Sequence, residues 1–132
     1  MASVVINGDT SGSVTLSAPT AAGSTTITLP ASTGNALVDV GSSLTATGYV
    51  KLSNGLIIQW GTTASIGTDS GLAITYPIAF PTATLNVNIT PIRSIALSGQ
   101  GESTVSSVST TGFTLNNGAD TTKPYYWYAL GI

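Results

Sequence analysis

Five carboxylates, three cations and a cluster of aromatic rings are almost all that this sequence offers for chemistry. The acids are Asp9, Asp39, Asp69, Glu102 and Asp120, and the bases are Lys51, Arg93 and Lys123. Two carboxylates flanking a glycosidic bond can cleave it, one as acid and the other as base or nucleophile. None of these acids stands between aromatic subsites, and no two form a recognisable pair. Histidine and cysteine are both absent, so the commonest general base, a thiol nucleophile and a thiolate metal site are all missing. The stretch "GDTSG" (8–12) offers one Asp and two hydroxyls, too few oxygens for a calcium loop, and reads as a turn. The glycines lack the spacing and the lysine of a phosphate-binding loop, and "NIT" (88–90), a formal glycosylation acceptor, reads as coincidence within a short strand. We therefore expect no catalytic residue, no metal and no cofactor.

The residues suit binding better than bond-breaking. Three polar stretches, "GTTASIGTDSG" (61–71), "SGQGES" (98–103) and "NNGADTTK" (116–123), carry hydroxyls, amides and carboxylates. Such groups recognise neutral sugars by hydrogen bonding with a little stacking. The candidate contact residues are Asp69, Gln100, Glu102, Asp120 and Lys123, together with Tyr125 at the edge of the aromatic run "YYWY" (125–128). In an extended strand Tyr125 and Trp127 point one way and Tyr126 and Tyr128 the other. Rings on both faces fit a strand held between its own core and a neighbouring chain better than a ligand platform. Trp60, beside Ile58 in a hairpin, is likewise read as buried.

Strands and turns must position these residues. No segment longer than a turn has convincing 3.6-residue periodicity, and the abundance of Ser, Thr, Gly and β-branched residues favours strands. Residues 1–35 read as short strands broken by turns: residues 4–6, then "SVTLS" (13–17) with Val14 and Leu16 on one face, then "TTITLP" (25–30). Such strands cannot bury a face alone, so other chains must cover them. Residues 36–48 read as a connector within the small-residue span 31–48. From Tyr49, "YVKLSNGLIIQWG" sets Asn54-Gly55 between apolar runs, a hairpin signal. A two-residue loop would pair Leu52 with Ile57, Lys51 with Ile58, Val50 with Gln59 and Tyr49 with Trp60, leaving both faces apolar. "TLNVNIT" (84–90) alternates, with Leu85, Val87 and Ile89 inward. "SIALS" (94–98), "STVSSVST" (103–110) and "GFTLNN" (112–117) follow at sandwich spacing, and residues 116–118 read as a last hairpin into the aromatic strand.

Charged residues make up 6% of the chain, against about a quarter in an average globular protein. A net charge of −2 with three basic residues gives no footprint for phosphate backbones or anionic lipid, so neither nucleic acid nor a membrane is an expected partner. The opening "MASVVINGDT" lacks the basic start and apolar run of a secretory signal, and no apolar stretch approaches membrane-spanning length. The reading is of a soluble product.

Three ordered motifs, "GYVKLSNGLIIQWG", "ITYPIAFPTA" and "YYWYALGI", make residues 48–132 resemble the C-terminal domain of bacteriophage tail-fibre and receptor-binding proteins. The front stretch, "GDTSGSVTLSAPTAAGSTTITLPASTG", is similar to short repeats in phage fibre shafts. The resemblance implies an all-β protein, a small antiparallel β-sandwich tip (49–132) preceded by shaft-like β segments (1–35) and a connector (36–48), assembled as an intertwined homotrimer. It also implies a virion protein made in the host cytoplasm, joined to other tail proteins and docking on a bacterial surface glycan or outer-membrane receptor. The alternative is a purely structural fibre, collar or spike component without receptor contact. The missing carboxylate pair argues against a third reading, a polysaccharide depolymerase or its intramolecular chaperone.

Overall fold

The computed structural model describes residues 3–7, 9–17, 20–21, 23, 31, 33–34, 36–93, 101–119 and 121–132. Ten strands are assigned among them, with no helix. By contacts the chain divides into two units, Met1–Asn35 and Ala36–Ile132.

The first unit holds a two-stranded antiparallel ribbon, β1 (Ser3–Asn7) and β2 (Ser13–Ser17), in which Val4 faces Leu16 and Ile6 faces Val14. The expected strand at 25–30 lies outside the described residues.

The second unit contains two antiparallel sheets. One has the order β3 (Asp39–Ser43), β4 (Gly48–Leu52), β5 (Ile57–Thr62), β10 (Tyr125–Gly131) and β7 (Thr84–Pro91). The other has the order β6 (Ser70–Thr75), β9 (Gly112–Asn117) and β8 (Ser103–Ser106). The terminal aromatic strand β10 therefore lies between β5 and β7 rather than at an edge. Its alternation is clean: Tyr125, Trp127 and Ala129 are buried, while Tyr126 and Tyr128 are exposed on the outer face. Inward-facing Ile57, Trp127 and Ala129 meet Phe113 and Leu115 of β9, with Tyr76 and Phe80 completing the core. Phe113 packs edge-on against Trp127, and Phe80 edge-on against Tyr76, arrangements that favour the ring quadrupoles.

Four expectations need correction. The β4–β5 hairpin is shifted by one residue: Lys51 pairs with Ile57, Val50 with Ile58 and Tyr49 with Gln59. Its loop has three residues, because Gly55 N donates to Leu52 O and Leu52 N to Leu56 O, with Gly55 at φ 91°. This is a type I turn closed by a left-handed glycine, so Gly55 alone requires positive φ. In the observed register Lys51 and Tyr49 share the inner face with Ile57 and Gln59, and Val50 shares the outer face with Ile58 and Trp60. Trp60 is accordingly only half-buried, its indole Nε1 donating to Thr45 O at 3.0 Å. Second, Leu85 is exposed, because the β7–β10 register shifts between Leu130 and Gly131 and leaves Leu85 without an opposing residue. Val87 and Ile89 do pack on the core. Third, the chain changes sheets between Asn117 and Tyr125 rather than closing a hairpin there, since β9 and β10 belong to different sheets. Fourth, residues 36–48, expected as a connector, supply the edge strand β3. Strand β6 had no counterpart in the sequence reading, and "SIALS" (94–98) lies outside the described residues.

The motif residues explain one another. Gln59 is fully buried, yet its Nε2 donates to Ile78 O at 2.9 Å and its Oε1 accepts from Ile78 N at 3.0 Å. One amide thus satisfies both backbone groups of Ile78 and fastens the "YPIAFP" segment to β5. Gly61 follows Trp60 because a Cβ there would come within 2.7 Å of the Trp127 indole. The "QWG" and "YYWY" motifs are two halves of one packing arrangement.

Candidate functional site at the loop end of the sandwich

Strands β6 and β8 both begin opposite Asn117, the last residue of β9: Ser70 and Ser103 each pair with it. At this same end β5 finishes, β7 finishes and β10 begins, with Thr62 opposite Tyr126 and Pro91 opposite Tyr125. The described residues 61–71, 101–103, 116–119 and 121–123 therefore converge on one end of the sandwich. The second unit's first residues enter at the opposite end, where Ser53 N donates to Val38 O at 3.0 Å.

A buried amide organises the convergence. Asn117 has no exposed surface, and its Nδ2 donates to Ile66 O at 3.0 Å, Gly67 O at 2.9 Å and Thr121 O at 3.0 Å. Two hydrogens serve three carbonyls, so one is shared. Carbonyls on this side also fix the amide's orientation. Its Oδ1 accepts from Tyr125 OH at 2.7 Å and from Ala119 N at 3.3 Å. Tyr125 has a single hydroxyl proton, already committed to Asn117, so Ser103 Oγ is the donor in their 2.6 Å contact. Thr63 Oγ1 accepts from Tyr125 N at 3.0 Å, and Ile66 and Lys123 form an antiparallel bridge. Residues from all three loops are thereby tied to one network. Low local dielectric makes such a network strong when satisfied and costly when broken.

The candidate contact residues divide into three groups. Asp69 and Glu102 are exposed at this end, Asp69 at φ 48°. Gln100 and Asp120 lie outside the described residues. Tyr125 is wholly buried and Lys123 is 4% exposed. The Lys123 ammonium has no hydrogen-bond partner and lies 5.8 Å from the centroid of the Tyr125 ring, a cation–π arrangement. Both side chains support the loops from beneath. Sequence reasoning missed Asn117 and Gln59, because an Asn beside a turn and a Gln in a strand look like solvated residues until their partners are known.

A concavity lies on the outer face of the five-stranded sheet. It encloses about 310 Å³, is lined by Trp60, Thr62, Thr90, Tyr126 and Tyr128, and carries no charged group. Among the described residues no cluster of His, Cys, Asp or Glu could hold a metal ion. No helix long and apolar enough to cross a membrane occurs among them.

Comparison with known proteins agrees with this architecture. Residues 51–132 match the family model described as putative tail fiber protein gp53-like, C-terminal. The chain belongs to this tail-fibre family. Among solved structures, it is similar to an N-truncated R2-type pyocin tail fibre, with 28% identity, a TM-score of 0.66 and 74% of this chain covered. It also resembles the C-terminal part of the P. aeruginosa R2 pyocin fibre (28% identity, TM-score 0.64, 70% of this chain). An N-truncated R1-type pyocin tail fibre is similar at 26% identity and a TM-score of 0.56, over 70% of this chain and 84% of that one. The tail-fibre chain spans 39% and 25% of the two R2-type structures. No curated protein matches it.

Proposed function

We propose that this tail-fibre chain forms the homotrimeric tip of a virion fibre and binds a bacterial surface polysaccharide through its loop end during host adsorption. The observation that carries the reading is the loop cluster itself: a polar surface, preorganised by the Asn117 network, at the end of the sandwich opposite to Val38 and Ser53. Asp69 and Glu102, with Gln100 and Asp120 of the same sequence stretches, are the contact residues, and Lys123 and Tyr125 hold the loops in place. Their hydroxyl, amide and carboxylate chemistry fits sugar hydroxyls. Three equivalent sites on one trimer, and several trimers on one particle, give avidity without tight single-site affinity.

The trimeric part is supported by the outer face of the five-stranded sheet, where Tyr126 is 57% and Tyr128 46% exposed beside half-buried Val50, Ile58 and Leu130. A second copy covering these rings would complete the enclosure of β10. The fibre is made in the host cytoplasm and joins other tail proteins.

The test is competition. Purified trimer should bind host cells and their extracted polysaccharide and should block particle adsorption. Trimer that binds neither would favour the alternative, a structural component without receptor contact. Incubation with capsule should release no reducing ends.

A further inference from the structure

Two of the chain's three cations meet at the loop end. Pro91 opposes Tyr125 in the β7–β10 pairing, and Ile92 N donates to Pro124 O at 2.9 Å. At the next step of that register Arg93 stands level with Lys123, on the face that opposed residues share. Arg93 is exposed. Lys123 is 4% exposed, and its ammonium has no hydrogen-bond partner. The adjoining polar network is already committed, because Asn117 serves three carbonyls and the Tyr125 hydroxyl lies between Asn117 and Ser103. Asp69 and Glu102, the described carboxylates of this end, leave the ammonium unpaired. What it has is the Tyr125 ring at 5.8 Å, close to the limit of cation–π attraction. A buried charge without a counterion is costly, and an apolar side chain of similar volume would fill the space without that cost. A like charge at the neighbouring position adds to it.

We propose that Arg93 and Lys123 form an anion site, and that the saccharide taken by the loop end carries a carboxylate or phosphate group. The inference rests on the receptor reading above and deepens it, replacing the neutral sugar that loop polarity suggests by an acidic one. Arg93, at the surface, meets the anionic group first, since its planar fork matches two oxygens of a carboxylate or phosphate. Lys123 supplies the second charge: its flexible stem swings the ammonium from the Tyr125 ring towards the anion, which is the counterion it lacks. The backbone need not move, because Lys123 ties the loops through its bridge to Ile66 and not through its ammonium. Asp69 and Glu102 accept from the hydroxyls of the same saccharide, so the two kinds of charge at this end take different parts of one ligand.

Melting curves of the full chain with D-glucuronate, inorganic phosphate or D-glucose test the site, with Lys123→Met and Arg93→Gln beside the native protein. Glucuronate or phosphate should raise the native Tm saturably, and glucose should not. Without either anion Lys123→Met should be at least as stable as the native chain, because a buried unpaired charge is gone. It should also lose the response to the anions. Arg93→Gln should keep native stability and need at least about tenfold more anion for the same rise, the least that losing a hydrogen bond to a charged group brings. No response of the native chain, an equal response of Lys123→Met, or a Lys123→Met chain less stable than the native one would overturn the site. The host polysaccharide then separates the two readings. Its binding to the native chain should weaken at least about tenfold once its carboxylates are reduced to alcohols or its phosphates are removed with hydrofluoric acid, and the effective treatment names the group. Undiminished binding after both treatments would overturn the acidic sugar and leave the receptor reading in place. An anion response with no binding of the untreated polysaccharide would keep the anion site and remove the receptor reading.

Discussion

Replacing Asn117 by alanine should loosen the whole loop end, because one side chain supplies five hydrogen bonds there. The substitution removes the donor to Ile66 O, Gly67 O and Thr121 O and the acceptor for Tyr125 OH and Ala119 N. Each ordinary hydrogen bond contributes about 1 kcal/mol net, and each buried group left unsatisfied costs about 1–3 kcal/mol. Local relaxation, readmitted water and the remaining Ser103–Tyr125 contact lower the sum, so about 3 kcal/mol is expected. For a unit of this size that is roughly 12–24 °C in Tm. The matched control is Asn116→Ala. Asn116 is the neighbouring amide, faces the other way, and bonds Ser106 Oγ at 2.9 Å and Thr104 Oγ1 at 3.4 Å near the surface. Its loss should cost under about 0.5 kcal/mol, as for most surface changes. Thermal denaturation of both variants, with hydrogen exchange of residues 63–69 and 118–124, measures the difference. Equal shifts in Tm, or unchanged exchange in both loops of Asn117→Ala, would refute the idea that this amide binds the loops together.

Gly61→Ala should destabilise by about 1–3 kcal/mol in urea denaturation, since the added Cβ meets the Trp127 indole at 2.7 Å and the ring has a full core behind it. Burial raises the Tyr76 pKa, against a smaller opposing effect of the Thr84 hydroxyl. The stabilisation from keeping that phenol neutral is fully present below the ordinary tyrosine value of about 10. It is lost as pH rises through the raised folded value, so Tyr76→Phe should flatten the alkaline limb of a stability–pH profile. Asp39 behaves in the opposite sense: the Ser42 hydroxyl, and then the Gly41 N–H, lower its pKa. Its contribution persists at neutral pH and disappears as pH falls through the lowered value, and Asp39→Asn should reduce that acid-side loss in the same profile. Deleting residues 125–132 removes the strand between β5 and β7. No soluble folded protein should be recovered by size-exclusion chromatography, and a folded truncated chain would contradict the central placement of β10.

Local pattern was enough for the strand content, the alternation of β10 and the gathering of polar residues into three stretches. Alternation is a property of neighbouring residues, and it separates Tyr125 and Trp127 from Tyr126 and Tyr128 without any knowledge of their partners. The hairpin register was different. Ser53-Asn54-Gly55 is compatible with two loop lengths, and the choice between them decided whether Leu52 and Val50 or Lys51 and Tyr49 would share the face of Ile57 and Gln59. The same holds at the loop end, where sequence marked exposed polarity but assigned Tyr125 and Lys123 to the surface.

By itself, then, the sequence determined a charge-poor all-β chain without histidine or cysteine, since residue types and two-residue periodicity carry that information locally. Only the tertiary structure decided that Asn117 joins three loops, that Gln59 holds Ile78, and that the last strand lies in the middle of its sheet. Each of those facts depends on contacts between residues distant in sequence. The sign of a polar side chain's contribution, solvated or buried and bonded, is set by the partner that the fold brings to it.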